Sequence, residues 1–291
     1  MEDITELQSR LRNAGYIADP QLAAAISLVM QLQRPLLIEG EAGVGKTEVA
    51  KALAAVFGRK LIRLQCYEGL DVNAAVYEWN YQRQLLAIKI QESAHAPAQN
   101  TERHIFGPEF LLKRPLLAAI TEAEPPVLLI DEIDRADEEF EACLLELLSD
   151  FQISIPELGT IQATSIPLVV LTSNATRELS DALRRRCLYH FLDYPGFDKE
   201  LAIVQTKLPD AGAQLARQVV AFVQGLRRLD LRKKPGIAES LDWTAALLGL
   251  GVSDLEQRPE AIMDSLACLL KTREDRAAVT ADVVQRLVAN E

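Results

Sequence analysis

Long apolar runs are missing from this sequence. The longest candidate, Leu22 to Met30, falls well short of the roughly 18 residues a membrane-spanning helix needs, and it sits amid polar residues. The N-terminal stretch MEDITELQSR is acidic and lacks the basic and apolar regions of a signal peptide, so a cytoplasmic location is expected. Cysteine is scarce. Cys66, Cys143, Cys187 and Cys268 lie far apart, with no C-x-x-C pair and no histidine at ligand spacing, which argues against a structural metal site and for reduced, buried thiols. His95, His104 and His190 form no metal pattern and are assigned no chemistry. Positive charge is also in deficit: a formal net charge of −11 argues against a protein that must neutralise many phosphates of a nucleic acid. Only the stretches Arg184 to Arg186 and Arg227 to Lys234 concentrate basic residues.

What is present is enough to bury a core. The 291 residues are 49% hydrophobic and 25% charged, which suggests one large domain and a smaller one. Helical periodicity at both ends and short apolar runs between them predict an α/β domain followed by a helical one. Residues 19 to 33 read as a helix, with Asp19 as N-cap, Pro20 at the first helical position and Arg34-Pro35 as the stop. Strand candidates are Leu36 to Glu39, Lys60 to Gln65, Val127 to Ile130 and Pro167 to Thr172. Helix-like segments separate them, which predicts a mostly parallel sheet buried on both faces. Phe140 to Leu148 reads as an amphipathic helix with Glu138, Glu139 and Glu141 in its first turn, and residues 151 to 163 as a short hairpin. Beyond Gly196 the strand signals fade. Leu215, Val219, Phe222 and Leu226 share one helical face; Ile262, Leu266, Leu269 and Leu270 share another. The expected boundary near Tyr194-Pro195-Gly196 leaves an αβα core over residues 1–195 and a helical domain over 196–291.

The segment GEAGVGKT, residues 40 to 47, fits G-x-x-x-x-G-K-[ST] in full and stands between an apolar strand candidate and a helix. Its glycines let the backbone turn tightly, so that successive N–H groups and the helix N-terminus point at a phosphate. The predicted nucleotide-binding set is Gly40, Glu41, Ala42, Gly43, Val44, Gly45, Lys46, Thr47 and Glu48. Lys46 can reach the β- and γ-phosphates, and the Thr47 hydroxyl can join an Mg²⁺ shell. VLLIDEID, residues 127 to 134, supplies the matching apolar strand ending in carboxylates. Asp131 is placed to hold Mg²⁺ through water, and Glu132 to polarise an attacking water as general base; Asp134 is expected to cap the next helix.

Two further features carry open alternatives. In LTSN the amide of Asn174 stands at the end of a strand, where it can hold a water or a γ-phosphate oxygen, although asparagine is also an ordinary turn residue there. LSDALRRRC puts Arg184, Arg185 and Arg186 at a helix end, where they can face a phosphoryl group in a neighbouring subunit or simply complement the helix dipole.

In this order the motifs resemble the AAA+ ATPases, and the run from ISLVMQLQRPLLIEGEAGVGKTEVAKALA through SDALRRRCLYHFLDYP is similar to the MoxR family within them. The stretch YEGLDVNAAVYEWNYQRQLLAIK resembles the CoxD-like accessory ATPases of carbon monoxide dehydrogenase-type molybdenum hydroxylases. The resemblance implies a P-loop αβα core with a helical lid, ATP and Mg²⁺ as ligands, and a homo-oligomeric ring of six with nucleotide between protomers. Asn174 would be the first sensor residue and Arg186 the arginine finger acting in trans, with Arg185 as neighbour or substitute. The client would be a metalloenzyme under maturation, often with a partner carrying a von Willebrand factor A domain. An insertion around residues 67–90 would face the ring pore or the client; its Tyr67, Tyr77, Trp79 and Tyr81 can grip a polypeptide or pack the insertion against its own domain. The family's second sensor arginine, at the start of a lid helix, has no counterpart in GIAESLDWTAALL, where Glu239 and Trp243 stand and the nearest basic residues are Arg232, Lys233 and Lys234. Three functions follow for testing: an ATPase that remodels a client protein, a nucleotide-gated scaffold with little turnover, and a nucleic-acid motor, against which the net charge weighs.

Overall fold

The computed structural model describes residues 3–93 and 104–289. His95 lies outside the described residues. Nine strands occur along the described chain: β1 (Leu36–Glu39), β2 (Leu61–Gln65), β3 (Tyr77–Trp79), β4 (Leu111–Lys113), β5 (Val127–Asp131), β6 (Gln152–Ile155), β7 (Gly159–Gln162), β8 (Leu168–Ser173) and β9 (Leu188–Phe191). Five form one sheet in the order β2-β5-β8-β1-β9, in which the pairs β2–β5, β5–β8 and β8–β1 are parallel. Strands β5 and β8 are buried along their whole length, as a parallel sheet covered by helices on both faces requires. Helices flank the sheet, and the C-terminal region is helical, as expected. No helix among the described residues is long and apolar enough to cross a membrane.

All four strand candidates form, each within one residue of its expected ends. The helix at Pro20–Leu32 and the hairpin of β6 with β7 also match expectation. The amphipathic segment extends to Glu138–Asp150 and buries Phe140, Leu144, Leu147 and Leu148. Its N-cap is Asp137, whose carboxylate accepts from the Phe140 N–H at 2.8 Å. Asp134 is therefore not the cap; it sits in the preceding 3-10 turn, Ile133–Arg135, one turn too early to reach the helix's open N–H groups. The β3–β4 pair is not legible in the sequence, because strands of three residues leave no periodicity to read. There Trp79 is buried, edge-on to Tyr77 and Phe106, whereas Tyr67 and Tyr81 are exposed. The insertion's aromatics thus divide between packing and surface.

The described chain falls into two compact units, residues 1–4, 21–39 and 53–190, and residues 5–20, 40–52 and 191–291. The first has its core on the sheet, with Leu128, Ile130, Phe140, Leu144 and Leu171 among its buried members. In the second, the helix Ala213–Arg228 buries Leu215, Val219, Phe222 and Leu226 against Trp243. Ile262, Leu266, Leu269 and Leu270 join the same cluster but not from one helix. The helix Pro259–Ser265 gives way to a 3-10 turn at Leu266–Cys268, so tertiary packing rather than a continuous 3.6-residue repeat buries them.

A buried ion pair ties this second unit together. Arg227 forms two parallel bonds to Glu200, at 2.6 and 2.7 Å, and donates through Nε to the Pro235 carbonyl at 2.7 Å. Ser240 Oγ donates to Glu200 at 2.8 Å, and the Tyr194 ring lies 4.8 Å from the guanidinium. Because Glu200 is fully buried, removing its partner would leave a charge with no solvent to receive it. Arg227→Ala should lower stability by about 3–5 kcal/mol in urea unfolding, whereas the apolar pair Arg227→Met with Glu200→Leu should lose less.

Candidate functional site

Parallel pairing sets where the chemistry-bearing residues of the first unit stand. The registers place Glu39 beside Ser173, Gln65 beside Asp131 and Ile130 beside Leu171, so β1, β2, β5 and β8 end at one edge of the sheet. That edge is where ligands of open α/β sheets bind. Asp131 is the last residue of β5 and is almost fully buried. Thr172 serves it from the neighbouring strand: its hydroxyl donates to Asp131 Oδ1 at 2.5 Å and accepts from the Glu132 N–H at 2.9 Å. Glu132 takes a left-handed backbone conformation, φ 55°, which turns the chain sharply after the strand.

The carboxylates have basic and amide partners on β2. Arg63 pairs with Asp131 Oδ2 at 2.5 Å, and Gln65 Nε2 donates to Glu132 Oε2 at 3.0 Å. Arg135 reaches the same Glu132 oxygen at 3.2 Å. Asp134 is buried and accepts from both the N–H and the hydroxyl of Thr176, at 3.0 and 2.6 Å. Burial opposes its ionisation, but these bonds and the Asn174 backbone hold its carboxyl below the usual range. Asn174 is half-buried in the loop after β8. Cys66 shares this acidic environment: burial first, then the charges of Asp131, Asp134 and Glu132, push its thiol up to about 12, so it is a poor nucleophile. Arg63, Gln65 and Thr172 occupy no motif position in the sequence. The alternation of LIRLQ, with Ile62 and Leu64 inward, is the signal that places Arg63 and Gln65 together on the other face.

The three arginines of the Asp181–Arg186 helix have different surroundings. Arg184 lies 3.8 Å from Glu39 and over the Tyr189 ring. Arg186 donates through Nε to Ser149 Oγ at 2.5 Å and through a terminal nitrogen to the Ala182 carbonyl at 3.1 Å. The Arg185 side chain is exposed, while its carbonyl accepts from Arg34.

The glycine loop belongs to the second unit. It leaves β1 at Gly40 and opens the helix Lys46–Phe57. Lys46 is buried, with Nζ donating to the carbonyls of Gly40 at 2.8 Å and Glu41 at 2.7 Å. Glu48, in the helix's first turn, pairs with Lys51 at 2.6 Å. Glu41, Ala42 and Gly43 also line a cleft of about 690 Å³ that is bordered by Tyr194, Lys233 and Lys271. The buried lysine, the N-terminus of the helix it opens and the cleft's Arg232, Lys233, Lys234 and Lys271, which stand among Glu41, Asp193 and Glu239, suit a polyphosphate, which fits a nucleotide.

A strand running into a glycine loop that opens a helix, in a parallel sheet whose second strand ends in paired carboxylates, defines a P-loop nucleoside triphosphatase. The AAA domain (dynein-related subfamily) family matches residues 35–187, just over half of the 291-residue chain, and the chain belongs to this family of nucleotide-binding ATPases. An uncharacterized protein of Staphylococcus epidermidis is 28% identical over 236 residues, covering 78% of this chain and 80% of its own. Midasin of Giardia intestinalis is 28% identical over 137 residues, 47% of this chain and 2% of Midasin. Among solved structures, a point mutant of Thermotoga maritima RuvB has a TM-score of 0.50 at 17% identity, over 92% of this chain and 72% of that one, a likeness of fold. The Thermotoga maritima RuvB Holliday junction branch migration motor gives 0.47 at 16% identity, over 89% and 68%.

The Thr172 hydroxyl is both donor and acceptor, so an isosteric Thr172→Val substitution would strand a buried carboxylate oxygen and a backbone N–H together. Thr172→Val should cost about 1–3 kcal/mol in chemical denaturation, and Thr172→Ser, which keeps both bonds, distinctly less.

Proposed function

We propose that this AAA+ ATPase hydrolyses ATP with Mg²⁺ at the subunit interfaces of a six-membered ring and uses the cycle to remodel a protein client. The observation that carries the reading is the Asp131–Glu132 pair: a buried carboxylate ending β5 beside a half-exposed one that the left-handed turn aims elsewhere. The two can then do different work. Gly40 to Thr47 and the helix N-terminus at Lys46 and Glu48 would hold the phosphates, with Lys46 supplying their counter-charge. Thr47 and Asp131 would hold Mg²⁺, which offsets charge on the transferring phosphoryl group; a hydroxyl and a carboxylate are the hard oxygen donors that Mg²⁺ takes, which supports the fit. Glu132 would orient and deprotonate the attacking water, and Asn174 would hold a γ-phosphate oxygen. An arginine acting across the interface contributes about 10³–10⁵ in rate in such enzymes. Arg186 takes this role by resemblance, with its exposed neighbour Arg185 as substitute.

Residues 1–195 would be the core, with the insertion around 67–90, and residues 196–291 the lid. The likeness to MoxR and CoxD-like proteins supports a cytoplasmic assembly whose client is a metalloenzyme under maturation, such as a carbon monoxide dehydrogenase-type hydroxylase, with a von Willebrand factor A domain protein as partner. A second reading, a nucleotide-gated scaffold with little turnover, is favoured by one observation: the helix Ile237–Gly249 carries no arginine for the γ-phosphate. A nucleic-acid motor is disfavoured by the net charge of −11.

Lys46→Ala should abolish nucleotide binding, whereas Glu132→Gln should retain binding and lose hydrolysis, as read by equilibrium binding and phosphate release. Equal ATP affinity of Lys46→Ala and the parent would refute the site. Turnover in Glu132→Gln at the parental rate would refute the base, and a parent that binds without turnover would favour the scaffold. Arg186→Ala should hydrolyse poorly alone and recover part of its rate when mixed with Glu132→Gln; mixed rings without recovery would refute action in trans.

A further inference from the structure

The helix that lacks the arginine touches the phosphate loop directly, backbone to backbone. The Ile237 N–H, first in the helix Ile237–Gly249, donates to the Gly43 carbonyl at 2.8 Å. The approach is so close that only glycines fit. A Cβ on Gly236 would lie 2.7 Å from both Cα and O of Gly43, and one on Gly43 would lie 3.1 Å from Gly236 Cα. Gly43 also needs its positive φ of 81°. Glu239 closes the arrangement by accepting from the Gly236 N–H at 2.9 Å, which fixes the turn into the helix. Behind it, the ion pair of Arg227 with Glu200 anchors Pro235 and Ser240, so the helix start is held from both sides.

We propose that the Gly43–Val44 peptide is the relay by which phosphate in the loop acts on the helix Ile237–Gly249, in place of a basic side chain. This rests on the loop holding phosphate as set out above. A trans peptide is planar, with its C=O and N–H on opposite sides. The carbonyl that accepts from Ile237 is therefore rigidly joined to the Val44 N–H, which faces the other way. A phosphate drawing on that N–H polarises the peptide and strengthens the bond at its far end, because hydrogen bonds in series reinforce one another. Rotation of the same plane to meet or release an anion must pull or slacken the helix start. Gly236 is a positioning residue in this scheme: it admits the contact and touches no substrate, while Gly43 belongs to the phosphate loop and offers its carbonyl to the helix.

The experiment is hydrogen exchange of the full chain with and without a non-hydrolysable ATP analogue and Mg²⁺. In the parent, the analogue should slow exchange in residues 40–48 and, by about fivefold or more, the factor one hydrogen bond's net contribution represents, in 237–249. Gly236→Ala adds only a methyl group, since its φ of −85° and ψ of −171° suit alanine, but that methyl parts the two backbones. Ile237→Pro removes the donor at the first helical position, where proline is otherwise tolerated. Both variants should keep protection of the loop and lose the response of the helix; Ile237→Ala, which keeps the N–H, should respond like the parent. A helix that responds equally in Gly236→Ala and Ile237→Pro, or that is silent in the parent while the loop is protected, overturns the relay. A loop left unprotected in the parent overturns the nucleotide reading itself, and the relay with it.

Discussion

Parallel hydrogen bonding between β5 and β8 brings residues 41 positions apart in the chain to the same height, Ile130 opposite Leu171, and the side chains just beyond them inherit that placement. Thr172 can serve both Asp131 and Glu132 only because the two strands end together; a slip of one residue would turn its hydroxyl to the other face. The adjoining strands extend the same edge. β2 contributes Arg63 and Gln65 to the carboxylates, and β1 runs out directly into the glycine loop. Burial enforces this register, since β5 and β8 are covered along their whole length, apolar up to Ile130 and Leu171, and have no alternative face to present.

At this edge the two carboxylates of the sequence pair acquire different surroundings. Asp131 is enclosed and bonded on both oxygens, by Thr172 and by Arg63. Glu132 is half-exposed, turned by a left-handed backbone and held by Gln65 and Arg135 from one oxygen only. Adjacent acids of the same chemistry are thereby separated into an enclosed carboxylate bonded on both oxygens and one with a face toward solvent, the division on which the proposed roles rest. Asp134, next along, holds the N–H and hydroxyl of Thr176 through Oδ2 and so braces the loop that carries Asn174.

The second unit works by close approach more than by charge. Arg227 is sequestered with Glu200, and Lys233 and Lys271 stand along the rim of the cleft. What reaches the glycine loop from the helix Ile237–Gly249 is a peptide N–H, made possible by two facing glycines. A contact of this kind is invisible to any search for a signature side chain, which is why the sequence reads as lacking an element there.

By itself the sequence determined the elements: a strand, glycine loop and helix at GEAGVGKT, an apolar strand ending in carboxylates at VLLIDEID, four strands to within a residue, and a helical C-terminal region. These are local properties, set by apolar periodicity, glycine placement and capping, and they survive in a linear reading. Tertiary structure alone decided the partners: Arg63 and Gln65 for the carboxylates, Asp137 rather than Asp134 as cap, burial of Trp79 beside exposed Tyr67 and Tyr81, and Gly236 against Gly43. Each depends on a neighbour distant in the chain or on the turn at which a helix begins, and neither strand register nor the packing of one backbone on another is written in the spacing of residues along one segment.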